Sequence, residues 1–432
     1  MDAGDAALKE KTGTELSGGP HAALTPSGAG ALDRIEPDLD FIRELTRQAG
    51  DTFTKCFQCG TCSATCALSP DPAPFPRKEM AWANWGLKDQ LLSDPDVWLC
   101  YQCNDCSTRC PRGARPGELM AAVRRASATH YSFPTFLGRW VNRPLYLPFL
   151  LGVPILLLTL ALYFREPVGR ALSLSGSVSD EIVYSYSYMF PHWLLNTVFL
   201  FFSGLVLLVF VIGIVRLWRG MNRSAAHPVA VSPTKGLIPS ILSALKNIIT
   251  HADFSLCTSA RPRLLSHMSV FFGFAALSVV TTWVITSGFN PIIHDAFVYP
   301  FSFWSPWKIL ANLGGLAVLG GCALMIRDRL RNNDQVGIGG FADWNLLLML
   351  LAVVGSGFLT EILHYVRLEP HRHIVYFIHL VLVLALLMYL PYSKLAHIIY
   401  RTVAMVYAES SGRTRIAADT QRSDAGKETE HA

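Results

Sequence analysis

The chain has 432 residues, of which 51% are hydrophobic and 16% are charged, and its formal net charge is +5. A soluble globular protein carries roughly 25% charged residues, so this composition excludes an ordinary soluble protein and indicates a membrane protein. The small net charge gives no reason to expect a nucleic-acid partner. The basic residues cluster at the ends of apolar segments, which is typical of a chain surrounded by membrane lipid.

The N-terminal part of the chain leads into a cysteine-rich domain. Residues 1–32 are rich in Gly, Ala, Ser and Pro and are predicted to be disordered, and they lack the apolar run of a secretory signal. Ile35, Leu39, Ile42 and Leu45 follow at helical spacing and predict a short amphipathic helix. Residues 33–135 are predicted to form a small, mainly helical domain.

Two runs of four cysteines lie in this domain. The first run, CFQCGTCSATC, begins at Cys56, and the second, CYQCNDCSTRCP, begins at Cys100. Both runs have the spacing Cx2Cx2Cx3C, which is typical of two-cluster ferredoxins in which the fourth cysteine binds the cluster of the other run. We therefore expect one [4Fe–4S] cluster on Cys56, Cys59, Cys62 and Cys110, and another on Cys100, Cys103, Cys106 and Cys66.

Zinc is the alternative metal for these cysteines. Each run could supply the four ligands of one zinc ion, but zinc sites usually separate two Cx2C pairs by a longer spacer. The spacing therefore favours iron–sulfur clusters. The remaining two cysteines, Cys257 and Cys322, have no cysteine at ligand spacing, and we interpret them as small apolar residues.

Six apolar segments follow, each near the ~20 residues that a membrane-spanning helix needs. Their approximate limits are 144–164, 192–217, 265–286, 307–327, 344–364 and 373–400. The loops after the second and fourth segments carry most of the Lys and Arg, which predicts that the cysteine domain and both termini are cytoplasmic. The predicted fold is mainly α, with a two-cluster ferredoxin-like domain before a six-helix transmembrane cytochrome b bundle (residues 144–405) and a polar tail (406–432).

The large basic loop contains one further amphipathic segment, LIPSILSALKNIITH. It places Leu237, Ile241, Leu245 and Ile248 on one helix face. Such a helix either lies in the membrane interface or covers the cysteine domain.

Histidines in the spans are candidate haem ligands, because histidine is rare in such segments and marks function. His379 and His397 are 18 residues apart in the sixth segment, which equals five turns of a continuous helix and about 27 Å. This spacing predicts two haems b, one near each membrane surface. His267 begins the third segment on the cytoplasmic side, so we expect it to pair with His397 at an inner haem.

The outer haem needs a partner for His379. His364 is the expected partner because it and His379 lie symmetrically about a loop near His371, and His192 is the alternative. Glu361 lies one turn before His364 in an apolar run, where a carboxylate is costly unless it is paired or hydrated. We interpret Glu361 as a candidate for proton exchange with a quinone, or alternatively as a residue that reaches the outer surface.

These residues resemble known families. The cysteine runs resemble the C subunit of heterodisulfide reductase, and LPYSKLAHIIY with LLSHMSVFFGF resembles the gamma subunit of respiratory nitrate reductase, a dihaem cytochrome b. The fusion of both, over residues 35–405, resembles the membrane subunit of quinone-interacting membrane-bound oxidoreductase (Qmo) complexes. The resemblance implies haem ligands at His267, His379 and His397, but the fourth ligand position holds Leu277. The paired CCG motif of disulfide cleavage is absent from the sequence.

We therefore expect an electron-transfer subunit of the cytoplasmic membrane. It would connect menaquinone or another quinone to soluble flavin and iron–sulfur subunits through one or two haems b and the two clusters. The resemblance implies partners like the A and B subunits of Qmo and a link to adenylylsulfate reductase and dissimilatory sulfur metabolism. The alternatives are the arm of another heterodisulfide-reductase-like quinone oxidoreductase, and a haem-free membrane anchor, which would have no use for His267 and His397.

Overall fold

The computed structural model describes residues 36–70, 74–171, 186–224, 236–257, 261–287, 302–331 and 339–413. Regular structure in these ranges is helical and contains no strand, which confirms the predicted mainly α class. The segment that was predicted to be disordered, residues 1–32, lies outside the described residues, as does the part of the polar tail after residue 413.

Eight helices, within the described residues, build the cysteine domain. They are Leu39–Ala49 (α1), Thr61–Thr65 (α2), Arg77–Asn84 (α3), Lys88–Ser93 (α4), Asp96–Leu99 (α5), Asp105–Thr108 (α6), Pro116–Tyr131 (α7) and Thr135–Val141 (α8). Helix α7 is central, because Leu119 and Val123 on it are fully buried against Leu45 of α1 and Leu91 of α4. Pro116 stands at the first turn of α7, where a missing N–H costs nothing.

The membrane part contains nine further described helices. They are Leu147–Ala171 (α9), His192–Ser224 (α10), Leu237–Thr250 (α11), Ala252–Ser255 (α12), Arg261–Ser287 (α13), Pro306–Arg331 (α14), Phe341–Val366 (α15), His371–Tyr389 (α16) and His397–Ser410 (α17). Six stretches are long and apolar enough to cross a membrane, as the sequence predicted: Pro144–Gly169, His192–Arg223, Pro262–Thr286, Pro306–Arg331, Phe341–Val366 and His371–Tyr392. The chain is thus a multi-pass membrane protein.

The sixth span is shorter than the sequence predicted. Helix α16 ends at Tyr389, and two 3-10 turns, Leu390–Tyr392 and Lys394–Ala396, separate it from α17. Pro391 has no N–H to continue the helix, and the Ser393 hydroxyl accepts a hydrogen bond from the Leu395 N–H at 3.2 Å. Residues 373–400 are therefore two helices, and α17 runs on to Ser410, past the expected end of the membrane domain at residue 405.

Helix α17 and the end of α10 pack against the cysteine domain in one hydrophobic core. The Trp98 and Tyr400 rings lie 5.3 Å apart, and the Tyr407 hydroxyl donates to the Met221 carbonyl at 3.2 Å. Helix α11 packs its small residues, such as Ala244, against α17. Its apolar face, including Leu237 and other large aliphatic residues, is exposed, which favours the interfacial alternative for this segment.

Candidate functional site

The two cysteine runs adopt the same backbone conformation. The N–H of Gln58 points at Cys56 Sγ at 3.4 Å, and the N–H of Gln102 points at Cys100 Sγ at 3.3 Å. Four residues at matching positions of the runs take left-handed backbone angles: Gln58, Gly60, Gln102 and Asn104. Backbone N–H groups aimed at sulfur stabilise a thiolate, so both loops are shaped to present charged sulfur ligands.

The first group of cysteines combines both runs. Cys56, Cys59 and Cys62 line a cavity, and Cys110 from the second run also lines it. The Arg112 guanidinium lies over the ring of Phe57, 4.0 Å from its centroid, at the edge of this group. These four thiols are the set that the spacing assigns to one cluster, and a four-thiolate donor set suits a [4Fe–4S] cluster.

The second group consists of Cys66, Cys100, Cys103 and Cys106. Burial raises the pKa of Cys66 to about 12, and the neighbouring thiols of Cys100 and Cys103 act in the same direction. Burial also raises the pKa of Cys106, as do the charges of Cys100, Cys103 and Cys66. Burial thus disfavours the thiolates of Cys66 and Cys106, and the iron of a cluster would supply the positive charge that stabilises them.

Cys257 also belongs to the surroundings of the second group. It follows α12 and is buried, and its thiol lies close enough to the Cys103 thiol for each to shift the pKa of the other. Cys257 lies in the hydrophobic core, as expected of a small apolar residue. The sequence did not reveal its closeness to Cys103, because the two residues are far apart along the chain. Cys322, by contrast, is fully buried among the apolar residues of α14 and α15, as expected.

Three arginines bind the loop of the second run, and two of them come from helices of the membrane part. Arg124 from α7 and Arg401 from α17 both donate to the Cys100 carbonyl, the latter at 3.3 Å. Arg263 from α13 donates to the Gln102 carbonyl at 2.7 Å. Three positive charges beside a group of thiolates offset negative charge in a partly buried site.

A group of three histidines lies on the same side of the molecule. His251 Nε2 and His267 Nδ1 are 3.2 Å apart, and His267 is near enough to His397 for their charges to interact. His397 Nδ1 donates to the Lys394 carbonyl at 2.7 Å. Because both His267 and His397 use Nδ1 in this way, their Nε2 atoms remain for a metal, as is common in metal-bound histidines. The residues thus fit an inner haem.

Sequence reasoning missed His251. It ends α11 in a left-handed conformation (φ 52°), and burial lowers its pKa, so the ring is neutral and can accept from His267. The Phe254 ring stacks on Tyr101 of the second cysteine run at 4.8 Å and also contacts His267 edge-on at 5.8 Å. In the sequence, only the position of His251 directly after an amphipathic helix could have indicated a role for it.

The expected five-turn relation between His379 and His397 does not exist, because the break after Tyr389 separates them. His379 lies inside α16, where its Nδ1 contacts the Val353 carbonyl at 3.1 Å and the Ser356 hydroxyl at 3.0 Å. Its Nε2 remains for a ligand.

The expected pairing of His379 with His364 was also wrong. Helix α15 ends at Val366 and α16 begins at His371, so the turn is centred near residue 368 rather than 371. The ring of His379 therefore faces Gly357, which is about 10 Å along the helix axis from His364. His364 instead lies beside the ring of Tyr186, with centroids 5.3 Å apart.

Three other residues lie near the outer ends of the spans: His192, His371 and Glu361. His192 begins α10, and His371 begins α16. Glu361 is paired with Lys308 Nζ of α14 at 3.1 Å and accepts from Asn312 Nδ2 at 3.3 Å. Pairing supplies the compensation that a carboxylate in a span requires, so Glu361 connects α14 with α15.

Leu277 lies where the nitrate reductase pattern has its fourth ligand. One turn away, a Cβ on Gly273 would come within 2.6 Å of the Gly314 carbonyl oxygen. Helices α13 and α14 are therefore in direct backbone contact at this depth, and Leu277 belongs to their apolar core with Val318. This packing gives no support to an outer haem between these two helices.

Comparisons with known proteins match both halves of the chain. A family model described as 4Fe-4S dicluster domain matches residues 52–114, and one described as Citrate utilization protein B (CitB) matches residues 183–419. Citrate utilization protein B of Escherichia coli is 26% identical over 398 residues, which cover 87% of this chain and 95% of that protein. No solved structure matches the chain.

The cysteine domain has its own relatives. The C subunit of the H(2):CoB-CoM heterodisulfide,ferredoxin reductase of Methanothermobacter marburgensis is 35% identical over 91 residues, 21% of this chain and 49% of that protein. A protein of Archaeoglobus profundus, named as similar to the C subunit of heterodisulfide reductase, is 36% identical over 103 residues, 23% of this chain and 55% of that protein. The chain thus spans about half the length of these relatives, and the predicted likeness to this type of iron–sulfur subunit is confirmed.

Proposed function

Because the chain belongs to the citrate utilization protein B family and begins with a 4Fe-4S dicluster domain, we propose that it is a membrane electron-transfer subunit between the quinone pool and soluble flavin or iron–sulfur subunits. The relatives of its cysteine domain are named as subunits of heterodisulfide reductases, which supports a role within a complex. The basic end of α10, with Arg216, Arg219 and Arg223, lies on the side of the cysteine domain, so we place that domain in the cytoplasm.

The order of the groups carries this proposal. The second cysteine group contacts the membrane part through Cys257 and Arg401. The first group faces outward, since Cys59 is exposed and the neighbouring Phe57 side chain is 68% exposed. A site that begins at the histidine group in the membrane and ends at an exposed aromatic residue suits a partner that docks on the first group.

We assign the two [4Fe–4S] clusters to the two cysteine groups and one haem b to His267 and His397. When bound, these groups supply the one-electron redox chemistry that the side chains lack. The residues of this chain hold them in place: His251 and the Lys394 carbonyl orient the two ligand rings, and the arginines at the second group compensate its charge. A second haem on His379 would need a partner other than His364.

The specific partners follow from the resemblance to Qmo. On that resemblance, the soluble partners would be like the A and B subunits of Qmo and would serve adenylylsulfate reductase. The second candidate is the arm of another quinone oxidoreductase without a role in sulfur metabolism. The likeness of nearly the whole chain to a protein named for citrate utilization favours this second candidate.

The test is purification of the full chain from membranes with iron, sulfide and haem measured per chain. We expect about eight iron atoms, from two four-iron clusters, and one haem. His397→Ala should remove the haem absorbance and leave the non-haem iron and the sulfide content unchanged, because the cysteines are intact. His130→Ala, an exposed histidine of α7, is the matched control. A wild type without haem, or a His397→Ala variant with full haem, would contradict the haem assignment and leave the anchor alternative.

A further inference from the structure

A cleft opens in the membrane part, on the side of the cysteine domain. It lies between the start of α9, the start of α15 and the end of α16. Its walls are apolar and include Leu147, Leu150, Leu346 and Met349. Its polar end is formed by Asn142, Asn345, Ser393 and Lys394. A cleft with apolar walls and a few convergent polar groups is the usual form of a small-molecule site.

The polar end contains an ion pair at the edge of the membrane. Lys394 Nζ donates to Asp343 Oδ1, and Asp343 Oδ2 accepts from the Gly340 N–H at 3.0 Å. The Asp343 side chain is 8% exposed, whereas that of Lys394 is 41% exposed. Lys394 therefore keeps an accessible side chain, and it lines the cleft. Asp343 lies at the start of the fifth span, where an ionisable residue is a candidate for function.

The helix break creates this end of the cleft. Lys394 lies between the two 3-10 turns that separate α16 from α17, and Ser393 next to it uses its hydroxyl to cap the second turn. If the helix continued without a break, Lys394 would lie about one turn beyond Leu390. The break instead turns its side chain to α15, where Asp343 holds it.

We propose that this cleft binds the ring of a quinone, with the isoprenoid tail leaving into the lipid between α9 and α15. A quinone ring is flat and apolar with two carbonyl acceptors, which matches the apolar walls and the donors Lys394 and Asn345. A phospholipid headgroup fits less well, because its phosphate would compete with Asp343 for the one lysine. The proposal rests on the proposed electron-transfer function and adds the place of the quinone.

The position of the cleft relative to the histidine group supports the same ligand. The Lys394 backbone carbonyl accepts from His397 Nδ1 at 2.7 Å, so the residue that offers a donor to the cleft also orients a histidine of the redox site. Arg124, which bonds the Cys100 carbonyl, is close enough for its charge to interact with Asp343. A quinone ring in the cleft would thus lie beside the membrane side of the second cysteine group.

The binding test uses the purified full chain in lipid nanodiscs and 2-heptyl-4-hydroxyquinoline N-oxide, a quinol analogue whose fluorescence is quenched on binding. Met349→Trp should fill the cleft and weaken binding roughly tenfold or more, and Asn345→Leu should weaken it by removing a donor. Leu348→Trp is the control, because this neighbour on α15 is exposed outside the cleft. Iron content and helicity are measured on every variant to establish that it is folded.

A second measurement separates this inference from the proposed function: reduction of the clusters by menadiol. If menadiol reduces wild type and Met349→Trp equally, and both bind the analogue equally, the cleft is not the quinone site although the function stands. If the analogue binds and Met349→Trp loses it, but menadiol reduces no cluster, the site stands and the function falls. If phospholipid copurifies with the wild type but not with Met349→Trp, and the analogue does not displace it, the cleft is a lipid site and the inference is overturned.

Discussion

Replacing Lys78 with methionine tests the buried charge cluster that joins the end of α17 to the cysteine domain. Lys78 Nζ lies 2.8 Å from Asp94 Oδ2, 2.5 Å from Asp96 Oδ2 and 3.5 Å from Glu79 Oε1. Arg413 adds a second cation, 2.5 Å from Asp96 Oδ2. Burial raises the pKa of Glu79 well above its usual range, so Asp94 and Asp96 are the two carboxylates that Lys78 and Arg413 chiefly compensate.

The magnitude follows from this balance. Without Lys78, one of two fully buried carboxylates loses its partner, and removing one member of a buried ion pair costs about 3–5 kcal/mol. Lys88→Met is the matched control in the same domain. Lys88 Nζ lies 2.9 Å from Asp38 Oδ2, but these side chains are 39% and 33% exposed, and such surface pairs contribute about 0–1 kcal/mol.

The assay is urea unfolding of the cysteine domain in the full chain, and unfolding is monitored as the loss of iron–sulfur absorbance. Burial alone would raise the pKa of Asp94, but Lys78 and Arg413 lower it overall from 3.8, so its contribution exists above pH 3.8 and is lost as the pH falls through the lowered value. Burial alone would lower the pKa of Lys78, but Asp94 and Asp96 raise it above 10.5, so its contribution exists below pH 10.5 and is lost as the pH rises through the raised value.

The difference between wild type and Lys78→Met should therefore be constant between these limits and shrink outside them. The reasoning is refuted if Lys78→Met destabilises the domain no more than Lys88→Met at pH 7.

Three further predictions concern the clusters and the topology. Cys66→Ala should remove the EPR signal of the cluster on the second run and preserve that of the first, because the fourth ligand crosses over; the opposite pattern would exclude crossed ligation. Cys257→Ala should lower the midpoint potential of the second cluster without loss of iron, because it removes a polar S–H group beside the Cys103 sulfur, whereas Cys322→Ala should leave the potential unchanged. A reporter fused after Ala432 should be cytoplasmic, and a periplasmic signal would reverse the topology.

Features that depend on short stretches of sequence could be predicted. The cysteine spacing specifies which thiols can share a cluster, and the structure brings Cys110 to the first run and Cys66 to the second. The six spans were predicted because a helix must contain about 20 apolar residues to cross a bilayer, whatever its neighbours are.

Features that depend on contacts between distant helices could not be predicted. His251 is 16 residues from His267 and follows an unrelated helix, so no spacing rule connects them. Cys257 reaches Cys103 across more than 150 residues for the same reason. The pairing of His379 with His364 was mispredicted because the centre of the hairpin was placed about three residues too late in the chain. The position that faces His379 is therefore near Gly357 and not at His364.

The break after Tyr389 had only Pro391 as a local signal inside a long apolar run, yet it determines how the membrane part meets the cysteine domain. Because the chain turns there, eight residues, Lys394–Arg401, contact three places at once. Lys394 reaches Asp343 at the cleft, His397 lies in the histidine group, and Arg401 donates to the Leu99 carbonyl of the cysteine domain at 3.0 Å. A continuous helix would spread these residues over roughly 10 Å along one axis. The turn therefore brings the proposed quinone site, the proposed haem ligand and the second cysteine group into direct succession.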